Sequence, residues 1–203
     1  MGAGQLIGSY DFNFRENRTL TIEQELAALK ATVQEIKDRQ DIRDCIVRES
    51  RARDRQDIAA IEACWWGDGI DEHGAVITGA ADYAAKANLG HTMNFHMTSH
   101  NITNHICDLD GDVAHCESYV VGGLSWLDNK TTTIAMGRYL DRLERRNGEW
   151  RMLVRKCTIE MTADCDASWV FSENVKGFLK ARWDGQDPCY DRPYVPNNEG
   201  LRW

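Results

Sequence analysis

Hydrophobic and polar positions along this chain follow two periods, one helical and one alternating. From Thr21, apolar residues recur at four-then-three spacing at Ile22, Leu26, Leu29, Val33 and Ile36, which predicts an amphipathic helix. Thr21 and Gln24 read as its N-cap and capping box. About two heptads are too few to specify a coiled coil. The stripe is therefore expected to pack on its own domain or on a neighbouring subunit. Helical periodicity continues through Ile42, Ile46 and Val47 and pauses near Asp54. Asp57 then reads as the N-cap of a second helix that buries Ile58, Ile61, Cys64 and Trp65.

Beyond that point the period shortens. Two β-prone pieces, 70–72 and 75–78, flank Gly74, and an Ala-rich helix is expected over 80–94. Residues 100–109 alternate and end at Asp110-Gly111, a hairpin signal. Strands over 113–127 and 131–145 follow, with turns at Asp128-Asn-Lys130 and Asn147-Gly148, and a last long strand covers 149–162. Trp169, Val170, Phe171, Val175, Phe178 and Leu179 suggest a C-terminal helix over 167–182. The tail 187–203 holds all three prolines and should run as an extended strap. Four long antiparallel strands after three helices predict an α+β domain, a curved sheet folded over helices. The expected division is an arm at 1–20, a single domain at 21–182 and a tail at 183–203.

Composition narrows the classes. With 203 residues the chain can bury a substantial core, and 42% hydrophobic against 28% charged residues is ordinary for a globular protein. Acidic residues exceed basic ones by 32 to 24, giving a net charge of −8, which argues against a general nucleic-acid partner. No apolar run approaches the ~20 residues of a membrane span, and the first residues carry no signal pattern. The seven cysteines include no CxxC pair. Neither a disulfide framework nor a zinc site is expected, and a reducing cytoplasm fits. His96 and His100 are four apart but lack the glutamate of an HExxH motif, so no metal is expected there either.

Three charged positions stand out: Asp54 at the end of a helix, His100 at the start of a strand and Arg155 in the last strand. Around them lie Asp54-Arg-Gln, Trp65-Trp66-x-Asp68, His100 with Asn104, Gly137-Arg-Tyr139, and Glu144-Arg-Arg-Asn-Gly148-x-Trp150. In these marks, from about residue 38 to 163, the chain resembles the SnoaL-like branch of the nuclear transport factor 2-like superfamily. Within it, the resemblance is to the group of scytalone dehydratase, bile-acid dehydratase and hexachlorocyclohexane dehydrochlorinase. It implies a conical half-barrel around an apolar pocket, often trimeric, and a cofactor-free lyase in which an Asp–His pair is the base. Asp54 and His100 match that pair, and Arg155 matches an arginine contacting substrate or leaving group. Relatives place a Lys or Tyr five residues before the Asp, where this chain has Glu49. That departure keeps an unusual elimination in view: expulsion of formaldehyde from a lignin-derived diarylpropane diol, as one branch of the group is understood to perform.

The residue types suit proton transfer. Histidine titrates near neutral pH, and a buried carboxylate holds its other nitrogen and stabilises the imidazolium that forms. A cationic arginine can stabilise a developing phenolate or alkoxide. Even alternation would put Asn104 on the face of His100, where it could donate to a substrate oxygen. Glu49, Asn104, Trp66, Tyr119, Tyr139 and Trp169 are the candidate substrate contacts, with Trp169 and Phe171 as a lid; Trp65 reads as core. Tyr119 and Trp126 read equally as pocket or core. His91, His105 and His115 read as surface or hairpin residues. A small hydrophobic or aromatic substrate is expected, with no nucleic-acid or membrane partner and with a homo-oligomer, a trimer or else a dimer. Two other classes stay open. One is a ring isomerase or hydrolase acting on a steroid- or polyketide-like substrate, with Glu49 or Asp54 as base. The other is a non-catalytic small-molecule-binding or oligomerising subunit.

Overall fold

A computed structural model describes residues 20–196 and 199–203, so the arm expected at 1–20 lies, apart from Leu20, outside the described residues. The chain divides after Ile36 into two compact units. Helix α1 (Ile22–Arg53) begins in the first. Its start is closed reciprocally: the Gln24 N–H donates to Thr21 Oγ1 at 3.2 Å, and the Thr21 N–H donates to Gln24 Oε1 at 2.9 Å. Ile22, Leu26, Leu29, Val33 and Ile36 are all exposed.

The second unit, Lys37–Trp203, contains the rest of α1, then α2 (Ile58–Glu62), β1 (Trp65–His73), β2 (Val76–Gly79), α3 (Ala80–Asn94), β3 (Phe95–Asp110), β4 (Val113–Trp126), β5 (Thr131–Arg146) and β6 (Glu149–Asp166). Asp57 caps α2, its carboxylate accepting from the Ala60 N–H at 3.0 Å. The strands form one curved, open sheet in the order β2-β1-β6-β5-β4-β3. The four-stranded antiparallel meander is the one alternation predicted. Its Asn147-Gly148 turn has φ of 54° and 82°, the left-handed pair that a tight hairpin requires. The parallel placement of β1 beside β6 is an addition that no local pattern announced.

Register shifts interrupt the ladders at several points, and two of them set which side chains near the cavity face inward. One lies between Ile102 and His105 in β3, the other between Met136 and Gly137 where β5 meets β6. At Gly137 a Cβ atom would sit 1.8 Å from the Thr158 carbonyl oxygen, so only glycine permits that approach. The inner face packs on α1, α2 and α3 through Ile42, Ile46, Ile61, Trp65, Tyr83, Leu143 and Met152. Each such side chain contributes roughly 1.5–3 kcal/mol by leaving water.

The C-terminal helix expected over 167–182 does not form. Only short 3₁₀ turns occur there, at Ser168–Phe171 and Glu173–Val175. The backbone polar groups are satisfied across the tail instead. Gly177 and Lys180 donate to the carbonyls of Trp203 and Leu201, and Trp203 donates back to Phe178. The strap 187–203 is itself interrupted by a 3₁₀ turn, Pro188–Tyr190.

Candidate functional site

Asp54 and His100 meet although α1 and β3 are far apart in sequence. Asp54 Oδ1 accepts from His100 Nδ1 at 2.6 Å and from the Thr98 hydroxyl at 3.0 Å. Its Oδ2 accepts the His100 backbone N–H at 2.7 Å. Three donors around one buried carboxylate leave its geometry little freedom. Burial alone would raise the Asp54 pKa, but the hydrogen bonds and charge of His100, with Thr98, more than offset it, and the carboxyl lies below its ordinary value. An ionised Asp54 at Nδ1 selects the tautomer with its lone pair on Nε2.

His100 borders a cavity of about 120 Å³, together with Arg53, His73, His91, Phe95 and Tyr139. The His91 ring stacks on His100 with centroids 5.7 Å apart. Burial, with the Arg53 and His100 charges adding, pushes the His91 pKa down to about 3, so it stays neutral. His73 goes the other way. The Asp71 carboxylate, 3.8 Å from His73 Nδ1, and then Cys157 raise it to about 9, which keeps a cation in the wall at neutral pH. Arg53 Nε and His91 Nδ1 are buried without a hydrogen-bond partner among the described residues. A larger groove of about 720 Å³ lies along the strap, bordered by Leu179, Cys189 and Leu201, and shares no residue with this set.

Arg155 is held behind the cavity wall and does not border it. It is fully buried, grips Asp141 through Nε at 2.7 Å and Nη2 at 2.9 Å, and donates from Nη1 to Glu49 at 2.5 Å. The Tyr139 ring lies over its guanidinium carbon at 3.9 Å. Glu49 also accepts from the Tyr83 hydroxyl at 3.2 Å, and Arg53 donates to that same hydroxyl. Burial would raise Glu49, but the charges of Arg155 and Arg53 outweigh it and hold its carboxyl low. Glu49, Asp71 and Asp141 thus balance Arg53, Arg155 and a protonated His73, which is how so many buried charges coexist.

Of the other expected contacts, Tyr139 lines the cavity and the rest do not. Asn104 is exposed, because the bulge after Ile102 breaks the even alternation that would have set it beside His100. Tyr119 lies on the opposite face from Val120, beneath Arg138. Trp66 donates to the Glu144 carbonyl at 2.9 Å and sits under Arg146 and Arg151. Trp169 is mostly exposed, and Phe171 packs on His96 and Trp203, so neither covers the opening. His91 was read as a surface residue and instead lines the cavity. Arg53 and His73 were missed. For Arg53 the signal was present: with Glu49 it continues the Ile42–Ile46 stripe at three- and four-residue spacing, and so falls on the buried side of α1, whereas no local pattern marks His73.

A helix-backed, open curved sheet with a cavity on its inner face is the α+β arrangement of the nuclear transport factor 2-like class. Residues 34–156 match the SnoaL-like domain, and the chain belongs to that family. No curated protein matches the sequence. Among solved structures, a provisionally assigned scytalone dehydratase from Novosphingobium aromaticivorans is 21% identical with a TM-score of 0.60, covering 66% of this chain and 91% of that one. LinA is similar at 19% identity and a TM-score of 0.60, over 66% and 93% of the two chains. The hexachlorocyclohexane dehydrochlorinase LinA-type3 from Novosphingobium barchaimii is 16% identical with a TM-score of 0.59, over 66% and 94%. Identities this low show a shared fold.

Proposed function

We propose that this protein is a lyase, acting without a redox or organic cofactor, that expels a small neutral group from a hydroxylated aromatic substrate. The observation that carries the proposal is the 2.6 Å contact between Asp54 and His100 Nδ1 at the edge of the inner-face cavity. In this reading His100 Nε2 takes the substrate proton, Asp54 holds the tautomer and stabilises the imidazolium, and Arg53 and His73 stabilise the oxygen on which charge builds. Arg155, with Glu49, positions Tyr139 and Arg53 rather than touching substrate.

The substrate class we favour is a diarylpropane diol of the lignin-derived type. His100 removes the hydroxymethyl proton, formaldehyde departs as the carbon–carbon bond breaks, and the electron pair forms the alkene while expelling hydroxide from the adjacent carbon. That hydroxide leaves as water with the proton from His100, so the equation balances without oxidant or reductant. Simple loss of water uses the same groups. The dehydratase and dehydrochlorinase names of the structural neighbours favour an elimination, and the two cations in the cavity wall suit an oxygen leaving group. An isomerase with Glu49 as base finds less support, since both Glu49 oxygens are occupied and outside the cavity.

The decisive assay follows product mass on diarylpropane diols and on simpler hydroxylated aromatics. Loss of formaldehyde or water is expected, whereas unchanged mass would indicate isomerisation. Wild-type turnover from His100→Ala would overturn the mechanism. A homotrimer is part of the proposal, supported by the exposed apolar stripe at Ile22, Leu26, Leu29, Val33 and Ile36; a monomer in sedimentation would overturn it.

A further inference from the structure

The β3–β4 hairpin brings together three side chains that the proposed reaction does not use. The ligand atoms of His105, Cys107 and Cys116 all lie within 4.8 Å of one another. Cys107 and Cys116 face each other in register, and His105 stands two residues back along β3, opposite Ser118. The arrangement depends on the bulge after Ile102. Counting alternately from His100, position 105 would face away; the extra residue turns it inward beside Cys107. Both cysteines are free thiols.

The imidazole is already set as a ligand. His105 Nδ1 lies 2.9 Å from Ser118 Oγ, and Nε2 is buried with no hydrogen-bond partner among the described residues. An imidazole held through one nitrogen by an outer acceptor, with the other left free, is the recurring arrangement behind metal-bound histidines. None of the three residues borders the His100 cavity; Ser118 pairs with Tyr139, one strand nearer to it.

We propose that His105, Cys107 and Cys116 bind a thiophilic divalent cation, Zn²⁺, with a water in the fourth position. Sulfur and imidazole donors select against Mg²⁺ and Ca²⁺, which take oxygen. Two thiolates and one neutral imidazole cancel the charge of Zn²⁺, whereas Cu⁺ would leave a negative complex in a half-buried site. Binding displaces two thiol protons to solvent and changes no oxidation state. At Zn–S of about 2.3 Å and Zn–N of about 2.0–2.1 Å the donors must draw slightly closer, which side-chain rotation provides. The metal would cross-link the hairpin at the row next to Tyr139.

The test uses the full-length chain, reduced and stripped of metal, titrated with Zn²⁺ by calorimetry and with Co²⁺ by absorbance. Expected are one equivalent bound, a thiolate-to-cobalt charge-transfer band, protection of two thiols from alkylation by Zn²⁺, and a raised melting temperature. Cys116→Ser and His105→Gln should abolish the band, and Cys165→Ser should keep it. Ser118→Ala leaves all three ligands in place and should weaken Zn²⁺ binding about 10–100-fold. Absence of the cobalt band in wild type, or its survival in Cys116→Ser with circular dichroism unchanged, would overturn the proposal. So would a Cys107–Cys116 disulfide in the isolated protein with no metal uptake after reduction.

Discussion

At the scale of single residues, opposite ionisation of neighbouring groups organises the site. Asp54 is held ionised behind His100, while His91 is held neutral and His73 charged in the wall of one small cavity. Asp54→Asn keeps the shape but no longer selects the Nε2 lone pair. Its kcat is expected to fall about 10²- to 10⁴-fold, and its melting temperature to fall as well because the amide NH₂ would face a buried donor, as steady-state kinetics and calorimetry would show. His73 gives a pH signature. Its folded pKa of about 9 lies above the unfolded value near 6.5, so its stabilisation is complete below about pH 6.5 and lost as pH rises through 9. Urea unfolding across that range should show stability declining with pH in wild type and less so in His73→Gln. His91 works in reverse. With a folded pKa near 3, it costs stability as pH falls from about 6.5 toward 3, and His91→Phe should flatten that acid limb.

Between elements, a buried network and two bulges decide where the chemistry sits. Asp141 of β5, Arg155 of β6, Glu49 and Arg53 of α1 and Tyr83 of α3 form one connected chain of hydrogen bonds. Removing one member leaves an uncompensated charge in the interior. Arg155→Met should cost about 3–5 kcal/mol in urea unfolding, and the triple change with Glu49→Gln and Asp141→Asn clearly less, because the orphaned carboxylates go with it. Gly137→Ala places a methyl against a backbone carbonyl. It should cost about 1–3 kcal/mol, visible in the denaturation midpoint, and should lower turnover by shifting Tyr139 and Arg138. The β3 bulge has a double effect on the inner face: it turns Asn104 out and His105 in.

For the whole molecule, much was legible in the linear order of periods. The capping box at Thr21, the Asp57 cap, the α3 boundaries and the four-strand meander were written in short-range patterns, because caps, turns and alternation are set by near neighbours. The C-terminal segment misled for the opposite reason. Its apolar spacing fits a helix, yet its backbone groups bond to the tail some twenty residues later, a choice that no local window contains. The pairing of Asp54 with His100 came from resemblance, and the coordinates add its distance and its third donor, Thr98.

By itself, then, the sequence determined most of the elements and the family, since periodicity and motif spacing are local properties of the chain, and it brought Asp54 and His100 together only through resemblance. Tertiary structure alone decided which charges share the cavity. Arg155 was drawn away from it by Asp141 and Glu49, while Arg53 and His73 took the wall. The physical reason is that a buried charge settles where its partners are, and those partners come from strands and helices remote in sequence.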